Sequence, residues 1–117
     1  MLITTTPTVA GYRITNVYGE TFGVVVRSRG LGGNIMAGLR SLGGGEITEY
    51  TSLLEQTRQQ ALGRLSERAQ TMGANAVVSM RFDSSEIGGT MSEIVAYGTA
   101  VTIVADANAT GAPTTQE

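Results

Sequence analysis

The apolar residues between positions 46 and 72 recur at the spacing of an α-helix. On a helical wheel of about 100° per residue they form one stripe, and polar residues lie opposite. The stripe consists of Ile47, Tyr50, Leu54, Ala61, Leu65, Ala69 and Met72. Gly73 follows, and glycine commonly ends helices because it adopts the left-handed conformation without a Cβ clash. The pattern predicts one long amphipathic helix with Glu46 and Met72 as its outer limits.

Arg58 lies within this apolar stripe, between Leu54 and Leu65. A guanidinium on a buried face must either extend to the solvent edge or meet a carboxylate. Three interpretations stay open for Arg58. It forms an ion pair with Glu55 three residues earlier, it faces an interface or ligand, or its side chain simply snorkels to water.

Alternating apolar and polar positions predict two strands before the helix. Residues 2–5 form a short run that ends before Pro7, which is typical of an edge strand. Residues 12–26 alternate over a longer stretch, in which Tyr12, Ile14, Tyr18, Phe22, Val24 and Val26 share one parity. Gly19 or Gly23 is expected to host a bulge, with a register shift between the two halves of this strand.

Two further strands follow the helix and are predicted to pair as a hairpin. Ala76, Val78, Met80 and Phe82 are expected to share one apolar face, and residues 83–91 form the turn. The last strand, residues 94–104, is apolar on both faces, so both faces should be covered. A single long helix covers one side of a sheet, and either another subunit or a short helix must cover the other. Association with another copy is the simpler answer.

A short helix is predicted over residues 35–42. Asn34 is a suitable N-cap, and Ile35, Met36, Leu39 and Leu42 recur at helical spacing before Gly43. The glycines around this helix suggest either a phosphate-binding loop or a loop that tolerates tight packing. The chain has no Lys and no GK[ST] or GxGxxG spacing, which favours the packing interpretation.

Together these elements predict a two-layer α+β domain. Its antiparallel four-stranded sheet packs against one long helix, with the short helix beside it. The single domain spans residues 1–105. Residues 106–117 are rich in Ala, Thr, Gly, Pro and Gln and are expected to form a disordered C-terminal tail.

Composition narrows the range of partners. Charged residues make up only 15% of the 117, and the net charge of -2 offers no basic surface for nucleic acid or for an acidic membrane. The first residues lack the basic segment and apolar run of a secretory signal, and no apolar run has transmembrane length. We therefore expect a cytoplasmic protein that binds neither nucleic acid nor membrane.

The chain contains neither His nor Cys, which removes imidazole bases, thiolates and soft metal sites. Carboxylates remain: Glu46 with Glu49, and Asp83 with Glu86 and Glu93, could hold a hard cation such as Mg²⁺ or Ca²⁺. Solvated acids near a helix start and a turn are the simpler interpretation of both groups. We expect no enzyme activity and no cofactor; a carboxylate-dependent hydrolase is the least favoured reading.

Several ordered motifs resemble those of the YbjQ family of small bacterial proteins, over about residues 2 to 104. The motifs are TTTPT at 4–8, IxAGLR at 35–40, GG at 43–44, Tyr50, GANAVV at 73–78, RFD at 81–83 and YGTAV at 97–101. The resemblance implies a two-layer subunit similar to dodecin, assembled into a ring, most simply a homopentamer. The family also carries a heavy-metal-binding label, but soft cations prefer thiolate or imidazole donors, which this chain lacks.

The first interpretation is thus a non-enzymatic, cytoplasmic homo-oligomer, most simply a pentamer, of unknown molecular function. The alternative is a protein that binds a small ligand or a hard metal ion at clefts between subunits. Four polar residues adjoin the motifs and are the candidate interface or cleft residues: Arg40, Arg58, Arg81 and Asp83.

Overall fold

The computed structural model describes residues 1–28, 48–88 and 91–108. Its elements are β1 (Leu2–Ile3), β2 (Tyr12–Ser28), α1 (Thr48–Thr71), β3 (Ala76–Ile87) and β4 (Met91–Ala105). The predicted order of two strands, a long helix and a hairpin is confirmed, and α1 lies within the predicted limits. The predicted short helix, residues 35–42, lies outside the described residues. Within the described stretches, no helix is long and apolar enough to cross a membrane.

The sheet is mixed, with strand order β1-β3-β4-β2. β1 pairs parallel to β3, with Leu2 opposite Ala76, whereas the β2–β4 and β3–β4 pairs are antiparallel. The predicted antiparallel four-stranded sheet is therefore wrong at β1. Residues 4–11 carry the chain from the β3 side of the sheet to the opposite edge, where β2 begins. Such a crossover allows parallel pairing, and alternation within a strand does not encode strand direction.

α1 lies on one face of the sheet, mainly over β2 and β4. Its buried side chains are spaced four residues apart: Thr57, Ala61, Leu65 and Ala69. These are mostly small, so the helix backbone approaches β2 closely. A Cβ added at Gly23 would overlap the Ala61 carbonyl and would lie 2.8 Å from the Cβ of Arg64. Leu54, a predicted member of the buried stripe, is 40% exposed, so that prediction is wrong.

Apolar residues are buried on both faces of the sheet. The larger cluster lies between the sheet and α1 and includes Val25, Leu65, Val77, Ala96 and Ala100. A smaller cluster on the opposite face contains Ala76, Val78, Val101 and Ile103, with Val9 and Ile14 packed against it. Val9 and Ile14 thus cover the second face of β4 near its C-terminal end. Only the rest of that face is left for the cover that was expected from another subunit or a short helix.

β3 changes face at Ser79, a non-glycine residue with a positive φ of 55°. The pairing moves there from Val78 opposite Thr99 to Arg81 opposite Tyr97. The extra residue places Ala76 and Val78 on one face, and Met80 and Phe82 on the other. The prediction that these four residues share a face is wrong for this reason.

The irregularity predicted in β2 is confirmed at Gly19, which has a φ of 111° and follows a register shift after Val17. The second shift lies between Ile14 and Asn16. These shifts place Tyr18 on the helix side, where its hydroxyl bonds Thr102 Oγ1 at 2.8 Å. Tyr18 therefore does not share the face predicted for it.

The residue that follows β4, Asp106, is bonded to the start of β2. The Asp106 backbone N–H donates to the Gly11 carbonyl at 2.8 Å, and its carboxylate lies 3.1 Å from Arg13 Nε. Asp106, predicted as the first residue of a disordered tail, is thus bonded to the start of β2. The remainder of that prediction, residues 109–117, lies outside the described residues.

Candidate functional site

The face of the sheet opposite α1 carries rows of cross-strand neighbours. Phe22, Tyr97 and Arg81 form one row, and Val24, Val95 and Asp83 form the next. We call these six residues, together with Val26, the outer patch. Its large apolar members stay accessible, since Phe22 and Tyr97 are each 37% exposed and Val26 is 49% exposed.

Arg81 and Asp83, two of the predicted site residues, both lie in the outer patch, because residues two apart on a strand share a face. Arg81 Nη1 donates to the carbonyls of Thr5 and Met80, each at 2.9 Å. The guanidinium thereby joins the N-terminal segment to β3. It forms no ion pair with any carboxylate of the described residues, Asp83 included.

Arg58 lies on the other side of the sheet. Its guanidinium carbon is 4.9 Å from the centre of the Phe82 ring, a cation–π contact between α1 and β3. The predicted ion pair with Glu55 is wrong, since no such pair forms between these described residues. Phe82 is available to Arg58 only because the bulge at Ser79 turns it to the helix side.

The predicted site residues do not form one cluster. Arg81 and Asp83 are brought together, Arg58 is separated from them by the sheet, and Arg40 lies outside the described residues.

The acidic residues of the hairpin do not converge either. Strand alternation places Asp83 and Glu93 on the outer face and Glu86 on the helix side. The Glu93 carboxylate accepts a hydrogen bond from Ser85 Oγ at 3.0 Å. Across the described part of the chain, no three acidic residues are grouped closely enough to hold a metal ion. The proposed hard-cation grouping of Asp83, Glu86 and Glu93 is therefore wrong; Glu46 lies outside the described residues.

A second candidate site lies beside β2, the edge strand of the described sheet. It is an open cleft of about 640 Å³, which we call the arginine cleft; Arg64, Glu67, Arg68, Gln70 and Thr71 line it. Neither Arg64 nor Arg68 is among the candidate site residues singled out from the sequence. The signal was the spacing of Arg64 and Arg68, four residues apart on one helix face.

Both arginines of the cleft are held by groups on β2. Arg64 Nη1 donates to the Val24 backbone carbonyl. The Arg68 guanidinium carbon lies 4.2 Å from the centre of the Phe22 ring. Phe22 belongs to the outer patch, so the arginine cleft and the outer patch meet at β2.

Comparison with known families places most of the chain in one family. Residues 1–104 match the family model YbjQ_1, described as "Putative heavy-metal-binding". This agrees with the resemblance found in the sequence motifs.

Similar proteins occur in archaea and bacteria. A UPF0145 protein of Bradyrhizobium sp. (strain ORS 278) is 63% identical over 103 residues, which cover 88% of this chain and 93% of the relative. A UPF0145 protein of Methanocella arvoryzae is 61% identical, covering 88% and 86%. A third, from Thermoplasma volcanium, is 56% identical, covering 88% and 84%. Their names state no activity and no substrate.

A solved structure shares the fold. It is the crystal structure of a protein of unknown function from Pediococcus pentosaceus, which belongs to the DUF74 family. The TM-score is 0.58 with 18% sequence identity, and the match covers 89% of this chain and 98% of the other. At this identity the similarity concerns the fold alone.

Proposed function

The chain belongs to the YbjQ family, and from this membership we propose that it acts as a non-enzymatic homo-oligomer in which another copy covers the outer patch. The observation that carries the proposal is the incomplete cover of the second sheet face. Val9 and Ile14 pack near Val101 and Ile103, whereas Tyr97 remains 37% exposed. Contiguous exposed apolar groups of this kind mark protein interfaces.

The two edges of the sheet also differ from each other, as a ring with head-to-tail contacts between copies requires. Among the described strands, β2 forms one edge of the sheet and the two-residue β1 forms the other. A contact between two different surfaces of one chain closes into a ring when the rotation between copies closes. Five copies is the number that the family resemblance implies.

The absence of catalytic activity rests on the side chains available. The chain has no His and no Cys, and the hairpin carboxylates Asp83 and Glu86 lie on opposite faces. General acid–base chemistry needs such groups to converge on one substrate. The cytoplasmic location stays a prediction, which cell fractionation would test.

The heavy-metal label of the family does not suit the donors of this chain. Soft cations bind thiolate and imidazole, which the sequence lacks, and Met80 is buried in the core. We therefore propose no soft-metal site. A hard metal ion at a cleft between subunits is the alternative to a purely structural role, and thermal-shift screening with Mg²⁺ and Ca²⁺ tests it.

The assembly is tested by measuring the mass in solution with light scattering after size exclusion. One chain has a mass of 12.2 kDa, and a homopentamer gives about five times that value at micromolar concentration. A monomer under these conditions contradicts the proposal, and an oligomer of another size corrects only the subunit number.

Val26→Glu tests which surface is buried. Val26 is 49% exposed in the outer patch, so a carboxylate there should dissociate the oligomer, because burying an unpaired charge is costly. Leu54→Glu is the matched control, as Leu54 is 40% exposed but lies on α1. If Leu54→Glu dissociates the oligomer and Val26→Glu does not, the interface lies on the helix layer and not on the outer patch.

A further inference from the structure

The arginine cleft concentrates positive charge that the described residues leave unneutralised. The single ion pair among them joins Arg13 and Asp106, far along the sheet from the cleft. Arg64 and Arg68 are both exposed, and neither is paired with a carboxylate of the described chain. In a protein with only eight basic residues, two of them four positions apart beside one cleft are a notable local concentration.

The two guanidiniums are also held in place before any ligand arrives. Arg64 is anchored through one N–H group by the Val24 carbonyl, and Arg68 is stacked on Phe22. A planar guanidinium has five N–H donors, so each arginine keeps donors for a further acceptor. Side chains that are already ordered lose less conformational entropy when they bind.

Two features of the cleft disfavour the binding of an anion: the carboxylate of Glu67 and the negative end of the α1 dipole. The effect of each is small. Glu67 contributes one negative charge, which leaves a net charge of +1 with Arg64 and Arg68. Two carbonyls at the end of α1 are already bonded, since the Gln70 carbonyl accepts from Gly73 N–H and the Ala69 carbonyl accepts from Ala74 N–H. These bonds reduce the unsatisfied negative charge at the helix end.

From this geometry we infer that the arginine cleft binds a small oxyanion group, carboxylate or phosphate, through Arg64 and Arg68. Both acceptors suit the forked N–H donors of arginine. Glu67 weakens this binding through its negative charge. The inference goes beyond the proposed function, since the five residues that line the cleft are not members of the outer patch.

The experiment is a titration of the full-length protein with inorganic phosphate and, separately, with succinate. Calorimetry or amide chemical shifts report binding, with chloride holding the ionic strength constant so that screening does not change. We expect saturable binding of one or both anions. Phosphate alone, or succinate alone, identifies the preferred class of oxyanion.

Variants with opposite expected effects test the residues. Arg68→Gln should weaken binding by about tenfold or more, because it removes charge-assisted hydrogen bonds. Glu67→Gln should strengthen binding by about two- to five-fold, because it removes an exposed like charge. Arg58→Gln is the matched control, since Arg58 is also exposed on α1 and also stacks on a phenylalanine, yet does not line the cleft.

The inference fails if neither anion binds. It also fails if Arg58→Gln weakens binding as much as Arg68→Gln, which would mean that general positive charge suffices. Thermal melting of each variant without ligand checks that the fold is retained. If Arg68→Gln is unfolded, Arg64→Gln replaces it, because Arg64 makes no aromatic contact among those described.

Discussion

The Asn75 side chain and the Ile103 backbone form two reciprocal hydrogen bonds. Asn75 Nδ2 donates to the Ile103 carbonyl at 3.0 Å, and the Ile103 N–H donates to Asn75 Oδ1 at 2.8 Å. The Asn75 backbone N–H also donates to the Val101 carbonyl at 3.0 Å. The amide side chain thus acts as one further residue of β3 on the β4 ladder. It fixes the short connection after α1 against the last strand.

Asn75→Ala should lower the free energy of unfolding by about 1–3 kcal/mol, because it leaves the Ile103 N–H and carbonyl without their partner. Urea denaturation monitored by circular dichroism measures the change. Asn16→Ala is the control, since Asn16 accepts a hydrogen bond from the adjacent, exposed Thr15 and should change stability little. Equal losses in the two variants would show that the Asn75 pairing contributes nothing specific.

Gly23→Ala should destabilise the protein by about 1–3 kcal/mol, because the added methyl overlaps the backbone of α1 and forces the helix away from β2. Gly63→Ala is the matched control in the helix itself. A Cβ at Gly63 meets nothing within 4 Å, and alanine should stabilise the helix by about 0.5–1 kcal/mol. Thermal or urea denaturation gives both values, and a neutral Gly23→Ala would disprove the close helix–strand packing.

Ser79→Val should destabilise the protein by about 1–2 kcal/mol, because a β-branched side chain is strained at the positive φ of this bulge. Ser79→Gly should be tolerated, since glycine adopts this conformation freely. Ser84→Val, five residues further along β3, has no positive φ and should be neutral or slightly stabilising. A tolerated Ser79→Val would mean that the register shift in β3 does not exist in solution.

Thr21→Val should cost about 1 kcal/mol of stability although valine has the same shape. Thr21 is fully buried on β2, and its hydroxyl donates to the Leu65 carbonyl of α1 at 3.0 Å. Thr71→Val removes a similar hydroxyl-to-carbonyl bond, to Arg68 at 2.7 Å, but at an exposed position where water can replace it. Denaturation curves should therefore show a clear loss only for Thr21→Val.

Zn²⁺ and Cd²⁺ should leave the melting temperature unchanged at concentrations up to about a hundred times that of the protein. The chain has no Cys or His side chain to coordinate these ions. A metal ion that bound only the folded state would raise the melting temperature. Differential scanning fluorimetry with Mg²⁺ in parallel makes the comparison. A saturable rise with Zn²⁺ or Cd²⁺ would restore the family's heavy-metal label for this chain.

The sequence by itself determined the elements and their order. Periodicity is local, so the stripe from Ala61 to Ala69 predicts a helix and the alternation in residues 94–104 predicts a strand with two apolar faces. Gly73 ends the helix with a φ of 97°. The sequence predicts this end because a left-handed residue after a helix is commonly glycine. The family resemblance was likewise readable from ordered local motifs.

Tertiary structure alone decided the direction of β1, the change of face at Ser79 and the partner of Arg58. A bulge moves every later residue to the other face, and nothing in the local alternation of β3 indicates it. Thr57 is a polar residue buried between α1 and the sheet, and its hydroxyl accepts a hydrogen bond from Arg27 Nε of β2. The two residues are 30 positions apart, so local sequence does not indicate this contact. The arginine cleft arises in the same way, since Arg64 and Arg68 acquire their anchors only when α1 lies along β2.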